Sequence, residues 1–320
     1  MSVSTRNGRP AAIGEEPIAP GGRPAGRRRR RVTVGRIPLW WAAPAVLLAF
    51  AAHFLAVGIG AVYAFTDWNG RSADAVWVGL DNFGEIVGSS IARTAVANTF
   101  VLASIAVILA NVFGMVLAVG LHRTLRSRFV LRAVFFAPVV LSPLAVSYVW
   151  KFIFEHDGPL NVLLRALGLE SWALAWVSEP TWARWTVLVV LVWQYTGLAM
   201  VFYIAGLQGV PEEIEEAASL DGASVLRSFW SVRLPLLAPA VTASVTITTV
   251  FSLRVFDQVM GLTGGGPAGA SETLATQVYT QTFVSGRFGY GAALALVLTV
   301  LVCLVSLIQM IVLRAREKRI

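Results

Sequence analysis

Apolar residues run through this chain in long unbroken stretches, not in the alternation of a half-buried strand. Six stretches reach the roughly 20 residues that a helix needs to cross a bilayer: about 39–64, 95–121, 129–153, 185–208, 235–257 and 290–313. Lipid cannot satisfy backbone N–H and C=O groups, so a span must be a helix or part of a closed barrel. Continuous apolar runs select helices. The pattern therefore predicts an all-α membrane protein with six transmembrane helices. Before the first run lie 38 residues rich in Gly, Pro and Arg with no apolar period, read as a disordered tail. The run from residue 39 is too long for a signal peptide and predicts a retained first helix, with Trp40 and Trp41 at the interface. Residues 39–313 form the membrane domain, with a cytoplasmic loop at 209–234, and 314–320 form a short basic tail.

Composition agrees with the pattern. Of 320 residues 56% are hydrophobic and only 14% charged, whereas a soluble domain carries about a quarter charged residues. The net charge of +8 is concentrated in Arg27 to Arg31 and in short loops. With the N-terminus in the cytoplasm, Arg71, Arg93, Arg165, Arg184 and Arg287 fall outside. Lys151 and Arg254 fall near span ends. The other 19 of the 26 basic residues are then cytoplasmic. The positive-inside rule therefore predicts N-in, C-in. The basic cluster has no interleaved aromatics, which argues against nucleic acid. One cysteine, Cys303, and three scattered histidines exclude an intrachain disulfide and a Cys- or His-based metal site.

Candidate chemistry is sparse. A phosphate-binding P-loop needs Gly-rich sequence followed by Lys. The two lysines, Lys151 and Lys318, do not follow glycine, so no ATP site is expected on this chain, and no residue is a catalytic candidate. Span interiors are nearly free of acids, unlike those of an ion-coupled carrier. Asp257 and Arg254 lie three apart near the end of span five and read either as an interface pair or as substrate contacts. Trp193, Gln194 and Tyr195 fall a third to half of the way along span four. With Asn98, Asn111 and Ser252 they are candidates for a polar path, or for interhelical hydrogen bonding.

The stretch PEEIEEAASLDGASVLRSFWSVRLP (211–235) stands out against its apolar surroundings. Pro211 suits a first helical turn, Glu212 and Glu213 sit at the positive end of the dipole, and Gly222 permits a sharp break. The prediction is helix, glycine turn, helix, with a small-residue face and excess acid that suit a partner's cleft.

Glu216-Ala217-Ala218, Gly222 and Leu234-Pro235 resemble the EAA motif of binding-protein-dependent ABC importer permeases, with Val232 where the pattern has Ile. FTDWNG (65–70), VGLDNF (78–83), FFAPVVLSP (135–143), AGLQGVP (205–211), DGAS (221–224), VFDQVMGLTGGGP (255–267) and GYGAAL (289–294) are similar to the carbohydrate branch, of maltose and glycerol-phosphate type. The resemblance covers about 39–313. It implies a type I importer permease in a bacterial cytoplasmic membrane. Sugar or polyol would arrive from an external solute-binding protein, and a second, homologous permease would complete the pore. An ABC ATPase dimer would bind the ATP and Mg, leaving no cofactor here. Glu216, Ala217, Ala218, Asp221, Gly222, Leu234 and Pro235 would form the ATPase-coupling segment.

Overall fold

The computed structural model describes residues 39–72, 74–122 and 126–317. The N-terminal tail with Arg27 to Arg31, part of the 122–129 loop and the last three residues lie outside the described residues. The chain forms two compact units, residues 1–50 and 51–320. In the first, a 3-10 turn (Leu39–Ala42) leads into α1 (Ala43–Phe50), with the Trp40 and Trp41 rings 5.7 Å apart.

Among its described residues the second unit consists of helices joined by loops, and its one extended pairing is an isolated bridge between Thr66 and Trp77. After α2 (Ala56–Tyr63) come α3 (Asp81–Gly88), α4 (Ser90–His122), α5 (Arg128–Val140), α6 (Pro143–Phe154), α7 (Pro159–Ala166) and α8 (Pro180–Gln208). Then follow α9 (Glu212–Leu220), α10 (Val225–Ser228), a π-type turn (Phe229–Arg233), α11 (Leu234–Leu236), α12 (Ala238–Leu253), α13 (Asp257–Leu262), α14 (Leu274–Tyr279) and α15 (Phe288–Glu317). Trp40–Tyr63, α4, α8 and α15 are each long and apolar enough to cross a membrane. Two bent pairs raise the count to as many as six.

Both bent pairs depart from the straight spans expected. The run at 129–153 is not one helix: α5 and the Pro143–Ala166 segment meet at 101°. The cause is Pro143, which has no N–H to give and drives the preceding residue out of the α region. Ser142 accordingly has ψ 126°, and Leu141 before it is extended as well, with ψ 146°. The run at 235–257 also breaks. Val225–Leu236 approaches α12 at 71°, and α12 stops at Leu253. At the other end of the chain α15 runs on to Glu317, so residues 314–317 continue the last helix.

α8 is the axial helix. Apolar residues occupy its whole circumference, as in a helix packed against several neighbours, and only one strip, with Val189, Trp193 and Val201, stays exposed. Val187, Val190, Leu191, Ala199 and Met200 are all fully buried. Gly197 lets α5 come close: a Cβ there would sit 2.1 Å from the Phe135 carbonyl oxygen. One apolar core joins α4, α6, α8 and α13 through Leu102, Phe154, Leu191 and Val259. A second, nearer the α9 end, joins α4 and α8 to Leu237 through Ala118, Met200 and Tyr203.

Candidate functional site: a polar chamber at a helix break

Between Leu253 and Asp257 the backbone leaves the helix, with Arg254 at φ −102°, ψ 18° and Phe256 at φ −129°, ψ −60°. Irregular backbone at membrane depth is tolerated where it is buried in protein or lines a cavity. Here it does the second. A cavity of about 400 Å³ opens between Val139, Gln194, Tyr195, Phe251 and the 254–258 segment. Gln194 Nε2 donates to the Pro138 carbonyl at 3.1 Å, satisfying one of the orphan acceptors at the C-terminal end of α5. Its Oε1 accepts from Gln258 Nε2 at 2.8 Å. Two amides thus bridge α5, α8 and α13 on one wall. Tyr195 and Phe251, 6.3 Å apart, supply aromatic surface. Arg254 and Asp257 both line the cavity and form no ion pair with each other. The helical i,i+3 pairing fails because the helix ends between them.

The expected path residues separate into five environments. Gln194, Tyr195 and Asp257 line the chamber. Trp193, next in sequence to Gln194, faces the opposite side of α8. It is 40% exposed and meets Trp150 edge-on at 5.5 Å. Asn111 lies deeper, where α4, α8 and α12 meet. Its Nδ2 donates to the Val107 carbonyl (2.8 Å) and to Thr248 Oγ1 (2.9 Å). Its Oδ1 accepts from the Tyr203 hydroxyl (2.6 Å) and Ser244 Oγ (2.7 Å). All four hydrogen bonds an amide side chain readily makes are in place. Ser252 is fully buried, and its Oγ has no hydrogen-bond partner.

Asn98 belongs to the loop side. Its Nδ2 donates to the carbonyls of Ala270 (2.9 Å) and Glu272 (3.0 Å), and Thr99 Oγ1 accepts from the Leu274 N–H at 2.9 Å. Thr273 Oγ1 in turn donates to the Val255 carbonyl at the helix break (3.0 Å). The 263–273 loop is thereby fastened both to α4 and to the chamber wall. Glu272 is folded into that loop against Gly265 and accepts from Gln277 Nε2. Burial pushes its carboxyl up to about 7 from 4.5. The folded protein thus keeps a proton that the unfolded chain releases near pH 4.5. Stability from this group is fully present below about pH 4.5 and is lost as pH rises to 7 and above. Glu272→Gln has no such titration. Its melting temperature, measured relative to wild type, is expected to rise from pH 5 to pH 8.

The acidic segment forms the predicted helix, glycine turn and helix. Gly222 has φ +75°, and the Ala223 N–H reaches back to the Ala218 carbonyl at 3.0 Å, the longer bond of a glycine-capped helix end. Ser224 then caps α10, accepting from the Arg227 N–H at 3.3 Å. The segment carries apolar side chains into the open: Leu220 is 87% exposed, and Val225 and Leu226 are exposed as well. Glu216, Ala217, Asp221 and Gly222 are exposed, Ala218 half-buried. Leu234 and Pro235 open the short turn into α12 and are half-buried. Gln258, Phe251 and Phe256 line the chamber as well and are absent from the sequence-based candidates. Phe256 and Gln258 belong to the string FDQ at the end of the expected span 235–257, which reads as continuous helix until the break is seen.

Fold and site together define a multi-pass helical membrane protein with a polar chamber at a helix break and an exposed polar loop at one end. Comparison with known proteins makes this specific. Residues 110–319 match the family model for the binding-protein-dependent transport system inner membrane component. The multiple sugar-binding transport system permease protein MsmF of Streptococcus mutans is 34% identical over 250 residues, 78% of this chain and 86% of that protein. The diacetylchitobiose uptake system permease protein NgcF of Streptomyces coelicolor is 32% identical over 297 residues, 88% of this chain and 83% of that one. Among solved structures, a bacterial ABC transporter that imports the polysaccharide alginate superposes with a TM-score of 0.76. It is 19% identical and covers 87% of this chain and 95% of its own, a likeness of fold. The chain belongs to the binding-protein-dependent transport system inner membrane component family. It is a permease subunit of an ABC importer, a transport component and not an enzyme.

Proposed function

We propose that this subunit carries a sugar or related polyol, released by an external solute-binding protein, through the chamber at Gln194, Tyr195, Arg254, Asp257 and Gln258. The chamber carries the reading. Amides, one cation and one anion present donors and acceptors in the arrangement that hydroxyls need, and Tyr195 and Phe251 offer faces on which a sugar ring packs. Relatives named for sugars and for diacetylchitobiose support the substrate class. Broken helices lining a central site are a recurrent transporter design.

In this reading each bent pair counts as one span. Six spans then place both termini in the cytoplasm of a bacterial cell, and the protein sits in its cytoplasmic membrane. The 209–234 loop, with Glu216, Ala217, Ala218, Asp221 and Gly222 at its tip and Leu234-Pro235 at its base, seats in a cleft on an ABC ATPase. Two ATPases bind the ATP and Mg, and a second, homologous permease completes the pathway. ATP-driven approach of the two ATPases pulls the two loops together and moves the assembly between two global states.

Two tests address the two ends. Gln194→Leu removes one partner of Gln258 and one donor to Pro138. It is expected to raise the KM for uptake up to about tenfold while the subunit stays in the complex, since an amide lost from the chamber wall takes with it about one hydrogen bond to substrate, roughly 0.5–1.5 kcal/mol. An unchanged KM contradicts the chamber assignment. Glu216→Lys reverses a charge at the loop tip and is expected to reduce ATPase co-purification. Full recovery of the ATPase with that variant contradicts the loop assignment.

A further inference from the structure

On the face of α8 away from the chamber lies an apolar groove of about 730 Å³ between α4, α5 and α8, with Phe113, Leu117, Val134, Phe135, Val189 and Trp193 among its walls. The Thr196 hydroxyl also lines it but is committed to the Val192 carbonyl at 2.6 Å. On α5 the residues Arg128, Arg132 and Phe135 are spaced by four and three, so they lie along one side of the helix. Arg132 Nη2 donates to the Leu121 carbonyl at 2.8 Å, one turn beyond Leu117 on α4. That bond ties Arg132 to α4 one turn past the groove residue Leu117, beyond the groove's own lining. Arg132 Nε is buried and has no hydrogen-bond partner. The Arg128 and Arg132 guanidinium carbons stand 4.9 and 6.0 Å from the Phe129 ring centroid, and that ring is 68% exposed. Neither arginine meets a carboxylate among the described residues.

Two cations without an acid at the end of a membrane helix, set below an apolar channel, match one chemistry: a headgroup phosphate with its acyl chain. Basic pockets between membrane helices recognise anionic lipid headgroups, and guanidinium binds phosphate oxygens in a fork. We propose that the α4–α5–α8 groove is a binding site for one anionic phospholipid, its phosphate on Arg128 and Arg132 and an acyl chain against Phe113, Phe135 and Trp193. The site backs onto the chamber. Pro138 lines the groove, and its carbonyl accepts from Gln194 on the chamber side. A bound lipid therefore holds α5 against α8 and supports the chamber wall from behind.

The test uses the assembled transporter, purified in mild detergent and incubated with equal amounts of phosphatidylglycerol and phosphatidylcholine, with retained lipid counted by native mass spectrometry. Wild type is expected to retain phosphatidylglycerol in preference. Each arginine removed is expected to reduce retention about fivefold, as Arg128→Gln alone and as the Arg128→Gln, Arg132→Gln pair. The single variant leaves the Arg132 bond to Leu121 intact and decides the matter where the double variant fails to assemble. Val189→Trp fills the groove and leaves both arginines, and it is expected to abolish the preference. Equal retention of the two lipids by wild type, or retention unaffected by Arg128→Gln and by Val189→Trp, overturns the proposal. So does a crosslink from Val189→Cys to another protein chain, which would place protein in the groove.

Discussion

Gly222→Leu is expected to leave the subunit in the membrane at its wild-type level and to abolish uptake. The open surroundings of Gly222 make this sharp: a Cβ there would meet nothing within 4 Å. Packing therefore does not forbid a side chain. The cost lies in the backbone, held at φ +75°, where a side chain loses about 1–2 kcal/mol. That loss is local to a surface loop, so the helix bundle and its insertion should survive. The angle between α9 and α10 should not, because the bond from Ala223 to Ala218 depends on the left-handed residue between them. A leucine also adds bulk where a partner's backbone is expected to approach. Quantitative membrane immunoblotting with uptake in the same cells reads both parts. Normal uptake would sever the loop from coupling.

The second large effect is expected at Asn111→Leu. Three of the four hydrogen bonds of Asn111 cross between helices, to Tyr203 on α8 and to Ser244 and Thr248 on α12. Interhelical hydrogen bonds in membranes contribute about 0.6 kcal/mol each, so their direct loss is roughly 2 kcal/mol. Leucine also leaves two buried hydroxyls, on Tyr203 and Ser244, without their acceptor, at about 1–3 kcal/mol each. A clear fall in the thermal midpoint of the purified complex is expected. Surviving complexes should transport more slowly with an unchanged KM, because Asn111 does not line the chamber. A changed KM at unaltered thermal stability would instead place Asn111 on the substrate path. The node also ties together α8 and α12, the two helices that flank the acidic loop.

Much of the fold is legible in hydropathy because lipid imposes a simple rule: about 20 apolar residues in a row must be helical. That logic finds α4, α8 and α15, and it fails where a run is long enough but not straight. Apolar counting does not register that Pro143 removes a donor and straightens Ser142, so a 101° bend was invisible as a span. The same assumption of a continuous helix left Arg254 and Asp257 open between an i,i+3 pair and substrate contacts, and the break, which turns both toward the chamber, removes the first. Trp193 and Gln194 show a second limit. Adjacent residues on a helix point about 100° apart, so one lines the apolar groove beside α4 and α5 and the other the chamber. Choosing between them needs the positions of α5 and α13. Asn111 shows a third, since its partners lie as far as 137 residues away in sequence. The loop was easier, because proline, paired acids and a glycine act locally: each constrains the backbone where it stands.

The central claim is that this permease works as one subunit of an ATP-driven importer. Affinity purification of the tagged chain from its native membranes, followed by mass spectrometry of what accompanies it, tests this most directly. An ABC ATPase, a second homologous permease and a solute-binding protein are expected in the eluate, and that binding protein should take up sugars or polyols in a ligand screen. Recovery of the chain alone, from detergent mild enough to keep other multisubunit membrane complexes whole, would contradict the account.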